Sequence, residues 1–358
     1  MTEHPPRDKQ EYRAYIGRKI TIIVICFIVA LLLVGLSVNF GSADLSLPYI
    51  YSLIWDHICG VTYPVGTDEF HDDFLIWEIR LPRAIFALIA GAGLAVGGAV
   101  MQSVMKNPLA DAYTTGISSG ACFGMAISVL LGITVGTSGT ASGGIVNSFL
   151  MALVPMIVII ALSNRIGSSA ATLILAGVAI SYIFNSGTTL LMSLSDPHAL
   201  SVVYKWQVGS LTDLTWNDVP VMALINIVGM IAVMFLARKL NIITLGDASA
   251  KSLGLDPDML RIVCLLITTL MVASVVCFCG IIGFVGLVIP HICRMLLDSD
   301  NQFVIPASAA LGAVFLLFAD CIARYLSDFD DIPTGVILSF IGAPIFLWCI
   351  IRSRRQIW

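Results

Sequence analysis

The chain has 358 residues, of which 58% are hydrophobic and only 12% charged, and its mean hydropathy is +0.94. Soluble domains carry about 25% charged residues, so a soluble globular protein is excluded and most of the surface is expected to face lipid. The net charge of −4 says little about partners, because the charges of a membrane protein inform by side and not by sum; no nucleic-acid partner is expected.

In chain order, Arg7, Lys9, Arg13, Arg18 and Lys19 precede an apolar run from Ile20 to about Val38. That run approaches the ~20 residues a helix needs to cross a bilayer. No small-residue cleavage site follows directly, so it reads as a retained span. Residues 1–19 then form a cytoplasmic tail and residues 41–79 an external loop. Apolar windows predict spans at 20–39, 82–105, 112–132, 145–162, 170–192, 217–237, 260–280, 284–297, 303–325 and 333–351. The eighth is short and shares a glycine-rich approach with the seventh. The expected architecture is an all-α membrane protein, a compact ten-helix bundle over 20–351, with both termini cytoplasmic. Residues 240–258 form a cytoplasmic segment and 352–358 a basic tail.

The cations support this arrangement. Of the 19 Lys and Arg residues, only Arg80, Arg83, Lys205 and Arg324 fall outside. The other fifteen (19 − 4) lie in the tail or at Lys106, Arg165, Arg238, Lys239, Lys251, Arg261, Arg294, Arg352, Arg354 and Arg355. This is the asymmetry of the positive-inside rule. Gly93 and Gly97, then Gly116, Gly120 and Gly124, repeat at the four-residue spacing that lets membrane helices approach closely. The nine cysteines are scattered singly without metal-ligand spacing, and most sit in apolar stretches as small hydrophobes. Cys59 is the one plausible extracytoplasmic thiol.

No enzyme signature is present, and no catalytic residue is assigned. The run from Gly246 to Ser252 faintly resembles a phosphate loop, but the second glycine before Lys251 is missing and no strand precedes it, so the chain is not expected to hydrolyse ATP. His291 and Cys293 make a weak metal case, and no metal site is assigned. Only Asp320 lies clearly within a span as an ionisable group, whereas proton or ion relays rely on such groups. Helix 170–192 instead offers Ser181, Asn185, Ser186, Thr188 and Thr189, suited either to a pathway for a large solute or to interhelical hydrogen bonding.

Several motifs, in order, give the sequence a family likeness. They run from Arg80-Leu-Pro-Arg83 through Gly91-Ala-Gly-Leu-Ala, Gln102 and Asn107-Pro-Leu-Ala-Asp111 to Gly116-Ile-Ser-Ser-Gly-Ala121 and Leu175-Ala-Gly-Val178. They continue with Trp206, Gly209-Ser-Leu211, Leu245-Gly-Asp247, Ala250 and Ser252-Leu-Gly254, then the stretch Gly283 to His291. Ala319-Asp320, Ala323-Arg324, Ile332-Pro333, Gly335 and Gly342-Ala-Pro344 complete the set. From about residue 78 to the end, the chain resembles the FecCD-type permeases, the membrane subunits of ABC importers for iron–siderophore, haem and cobalamin-type chelates. The 41–77 stretch matches poorly.

The resemblance implies a permease that moves a metal chelate by ATP-driven alternating access. It would act as a homodimer in the cell membrane, with two ABC ATPase subunits that hold the ATP and magnesium and an extracytoplasmic substrate-binding protein. No cofactor is expected in this chain. Arg80, Arg83 and Arg324 would dock acidic residues of the binding protein, the alternative being local pairing. Gly246, Asp247, Ala250, Ser252, Leu253 and Gly254 would form the ATPase-coupling helix. From the residues alone, Asp247 reads as its N-cap, Ala248 to Leu253 as two turns and Gly254 as its terminator. Asn107, Pro108, Leu109, Ser168 and Ser169 would form the inner gate, and Ser181, Asn185, Ser186 and Thr189 would line the pathway. An ion-coupled carrier would need buried ion-binding groups, and an intramembrane enzyme a reactive constellation; neither pattern is evident.

Overall fold

The computed structural model describes residues 9–40, 45–136, 140–167, 169–326 and 332–353. Fourteen α-helices run through these residues: α1 (Lys9–Ser37), α2 (Leu47–Ile58), α3 (Asp68–Phe74), α4 (Leu81–Met105), α5 (Ile117–Leu131), α6 (Thr140–Ile166), α7 (Ala170–Ser193), α8 (Pro197–Val208), α9 (Val219–Thr244), α10 (Asp247–Ser252), α11 (Pro257–Cys279), α12 (Val285–Leu297), α13 (Asn301–Tyr325) and α14 (Thr334–Ser353). Eight helical segments are long and apolar enough to cross a membrane, while α5 and α12 are shorter apolar helices. These ten occupy the ten expected windows.

The chain itself sets the helix ends. Asp196-Pro197 and Asp256-Pro257 open α8 and α11, each Asp accepting two backbone N–H bonds at 3.0–3.2 Å while Pro takes the first helical position. That position has no intrahelical use for the missing N–H. Helix α12 is short because the backbone turns left-handed on both sides, at Phe284 (φ 67°) and Asp298 (φ 63°).

Two stretches expected as loops are partly helical. The 41–79 segment contains α2, α3 and a π-helical turn (Leu75–Arg80) that runs into α4, so one helix is continuous from Asp68 to Met105. Thr67 starts it by accepting a bond from Phe70 N, a cap that the polar run Asp68–Asp73 obscures in a search for apolar windows. Likewise α8 lies between two spans and was invisible to hydropathy.

Helix α4 is the centre. In its segment 78% of the apolar window is buried, against 11% for α1 and 17% for α7. Small residues make this possible. A Cβ on Gly91 would run into the Gly312 carbonyl of α13, and one on Gly98 into the Gly286 backbone of α12. The Gly120 and Gly124 pair does the same against Met151 and Asn147 of α6, as close helix approach in membranes requires.

Candidate functional site

The polar groups gather at the two ends of the bundle and along α7. At one end, Arg83 and Arg324 both reach Asp320, which is fully buried. Arg83 Nη2 lies 2.8 Å from Oδ1 and Arg324 Nε 3.0 Å from Oδ2, and Thr334 Oγ1 donates to Oδ1 at 3.2 Å. Arg80 donates to the Val38 carbonyl at 2.9 Å and Arg324 to that of Phe40 at 3.2 Å, so both also hold the chain leaving α1. The three arginines are only 4%, 4% and 7% exposed. All three are bonded within the chain, which is the alternative to docking. The local pairing is real, but its acceptor is Asp320, which α13 presents one turn before Arg324. Two guanidiniums, those of Arg83 and Arg324, meet the Asp320 carboxylate, while Arg80 is bonded separately to the chain leaving α1.

At the other end, α10 spans Asp247–Ser252, one residue earlier than read from the sequence. Gly246, at φ 110°, leads the chain into the helix, a conformation that L side chains rarely adopt. Asp247 does not cap. Its Oδ1 is drawn to Lys106 Nζ at 2.7 Å and Arg261 Nη2 at 2.6 Å, and two cations outcompete a backbone N–H. The Arg261 side chain beside it, followed by Lys106, holds the Asp247 carboxyl down to about 2. Gly254 (φ 78°) terminates the helix as expected, and Leu255 N bonds back to Ala250 O at 3.0 Å. Ala250 is buried, while Ser252 and Leu253 are exposed.

Lys106 ends α4 in the left-handed region (φ 48°) and directly precedes the Asn107-Pro108-Leu109 turn. Asn107 Oδ1 accepts from Leu109 N at 3.0 Å, fixing that turn, and Leu109 is exposed. Ser169 is the N-cap of α7, accepting from Thr172 N at 3.2 Å; Ser168 lies outside the described residues. Arg261 and Arg294 are not free inner-loop cations. Arg261 is fully buried, and Arg294 Nη2 donates to Ser103 Oγ, Asn301 Oδ1 and the Ala99 carbonyl at 2.8–3.2 Å.

Along α7, Asn185, Ser186 and Thr189 are exposed beside Tyr182, Ile183 and Leu190. Asn185 and Thr189, with Thr188, line a cavity of about 490 Å³ that Tyr204 and Gln207 of α8 also line. Hydropathy does not reveal the α8 residues; their sequence signal is the helix start Ser195-Asp196-Pro197. Ser181 instead bonds to the Gly177 carbonyl at 2.8 Å. His291 is buried edge-on to Phe346, with ring centroids 6.3 Å apart.

Residues 25–352 match the model of the FecCD transport family, and the chain belongs to that family. It is thus an ABC transporter permease, a multi-pass cell-membrane subunit that is not itself an enzyme and works in a complex with ATPase and substrate-binding partners. An ABC transporter permease protein of Methanocaldococcus jannaschii is 35% identical, over 97% of this chain and 99% of its own. The hemin transport permease of Yersinia pestis is 34% identical over 78% of this chain and 84% of its own. The vitamin B12 import permease of Vibrio cholerae is 34% identical over 78% and 83%. Among solved structures, a metal-chelate type ABC transporter in an inward-facing conformation superposes with a TM-score of 0.81 at 28% identity, over 93% of this chain and 99% of that one.

Proposed function

We propose that this chain forms the membrane pathway of an importer for metal chelates, iron–siderophore complexes foremost, with haem or cobalamin as related cargoes. Two copies pair around a shared pathway, two ATPase subunits drive it by alternating access, and both termini face the cytoplasm. The observation that carries this reading is the exposed face of α7. A helix facing only lipid would not present Asn185, Ser186 and Thr189 together, because polar groups in hydrocarbon are costly; a second copy across a wet pathway accommodates them. Cross-linking of Ser186→Cys in native membranes tests it. Dimers cross-linked through α7 are expected, and failure to cross-link with a flexible bifunctional reagent overturns the pairing.

Helix α10 serves as the coupling element, with the exposed Leu253 and Ser252 available to an ATPase cleft. Residues 107–109 and Ser169 narrow the inner end. The binding protein docks over Arg80, Arg83 and Arg324, with acidic lobes drawn to their guanidiniums even while the side chains are bonded inward.

A further inference from the structure

We infer that α2 is an interfacial anchor, lying against the headgroup and upper acyl region of the bilayer at the Ser37 end of α1. Helix α2 has three faces. Ile50 and Leu53 are buried against Val38 and Ile76. Ser52 and Asp56 lie on a polar side, where Asp56 accepts from Tyr63 at 2.9 Å. Tyr51, Trp55 and Ile58, at helical spacing (i, i+4, i+7), form a third stripe and are 51%, 66% and 62% exposed. At ~100° per residue they fall within one narrow arc, apart from Ser52 and Asp56.

The level of this stripe is set by α1. The Tyr51 hydroxyl occupies the space that a Cβ on Gly35 would take. Gly35 follows Leu31 and Leu32 by four and three residues and so shares their face of α1, and those leucines are 66% and 62% exposed. Tyr51 therefore rests on the lipid-facing side of a membrane span, near its end, and the stripe continues that apolar surface. Tyr and Trp, with an apolar body and a polar tip, are the residues that settle at this depth. An amphipathic helix lying in the interface plane buries such a face among headgroups and upper acyl chains.

The test uses the full chain in phosphatidylcholine–phosphatidylglycerol vesicles. The emission of wild type minus that of Trp55→Phe isolates Trp55. We expect lipid brominated near the headgroup end of its acyl chains to remove most of this difference emission, and aqueous iodide to remove little. Loss to iodide with none to brominated lipid overturns the inference. So does shielding from iodide that arises only when purified binding protein is added, which would make the stripe a protein-docking face. As a second measurement, Ile58→Asp, a carboxylate set against anionic headgroups, should lower thermal stability in these vesicles and less so in nonionic detergent. Equal effects in the two media would also overturn the anchor.

Discussion

Asp247 and Lys106 meet at 2.7 Å, joining the first residue of α10 to the residue that ends α4. Arg261 completes the link from α11, so a displacement of α10 pulls directly on the turn that holds Asn107 and Leu109. Asp247→Asn should weaken both ion pairs. With a co-purified ATPase, nucleotide-dependent labelling of Leu109→Cys is expected in the wild-type background and lost with Asp247→Asn, while basal ATP hydrolysis continues. Unchanged labelling would separate α10 from the inner turn.

The same pair has a defined pH window. The Asp247 carboxyl is held at about 2, below the ordinary aspartate value of about 3.9. A depressed carboxylate contributes stability that is present above the unfolded value and lost as pH falls through the folded one. Amide exchange in α10 should therefore be insensitive to protonation of Asp247 from neutral pH down to about 4. Protection should fall between there and about 2. A loss near pH 6 would assign the tether to another group.

Asp320 holds two buried arginines, so its neutralisation leaves uncompensated charge. Breaking a buried pair typically costs about 3–5 kcal/mol. Asp320→Asn should lower the melting temperature in detergent, and Arg83→Glu should lower it too by setting two carboxylates together. Arg80 has no carboxylate within ion-pair distance among the described residues and gives the cleaner docking test. Arg80→Glu should weaken binding-protein association with less loss of stability, and wild-type association should weaken as salt rises. Normal partner binding by Arg80→Glu would remove this residue from docking.

The cysteines offer a direct check of sidedness. Cys59 is the exposed thiol, Cys26 is half-buried, and the other seven are buried. An impermeant maleimide should label intact cells at Cys59, and Cys59→Ser should abolish that signal. Labelling only after permeabilisation would invert the proposed orientation.

Gly98→Val should prevent proper closure of α4 on α12, because the new side chain meets Gly286 backbone and not a movable side-chain tip. Overpacking costs about 1–3 kcal/mol and can exceed that. Reduced yield of folded protein in detergent is expected, and a normal melting curve would contradict the close approach.

The spans were legible because twenty-residue apolar windows and the bias of Lys and Arg are written in composition. Short amphipathic elements were not, since α2 and α8 mix charge with apolar residues and need contacts elsewhere to form. The same limit governs the sites. Sequence marked Asp247 by its place before a short helix, and a carboxylate there normally caps. Only the folded chain brings Lys106, 141 residues away, and Arg261 close enough to take it. Arg80, Arg83 and Arg324 stood out as cations on the wrong side of the membrane, but nothing local disclosed that Asp320 would turn two of them inward. Asn185 and Thr189 were readable as polar residues on an apolar helix, whereas Tyr204 and Gln207 were not.

The unbroken helix from Asp68 to Met105 has 38 residues, and at 1.5 Å per residue it measures about 57 Å. The hydrocarbon core is only about 30 Å thick. A single rod thus stands proud of the bilayer, with Arg80 and Arg83 partway along it and Lys106 at its foot. Binding-protein contact at one end and ATPase contact at the other would load the same strut. Its departure from α-helical geometry is the π-helical turn at Leu75–Arg80, which ends on the first of these arginines.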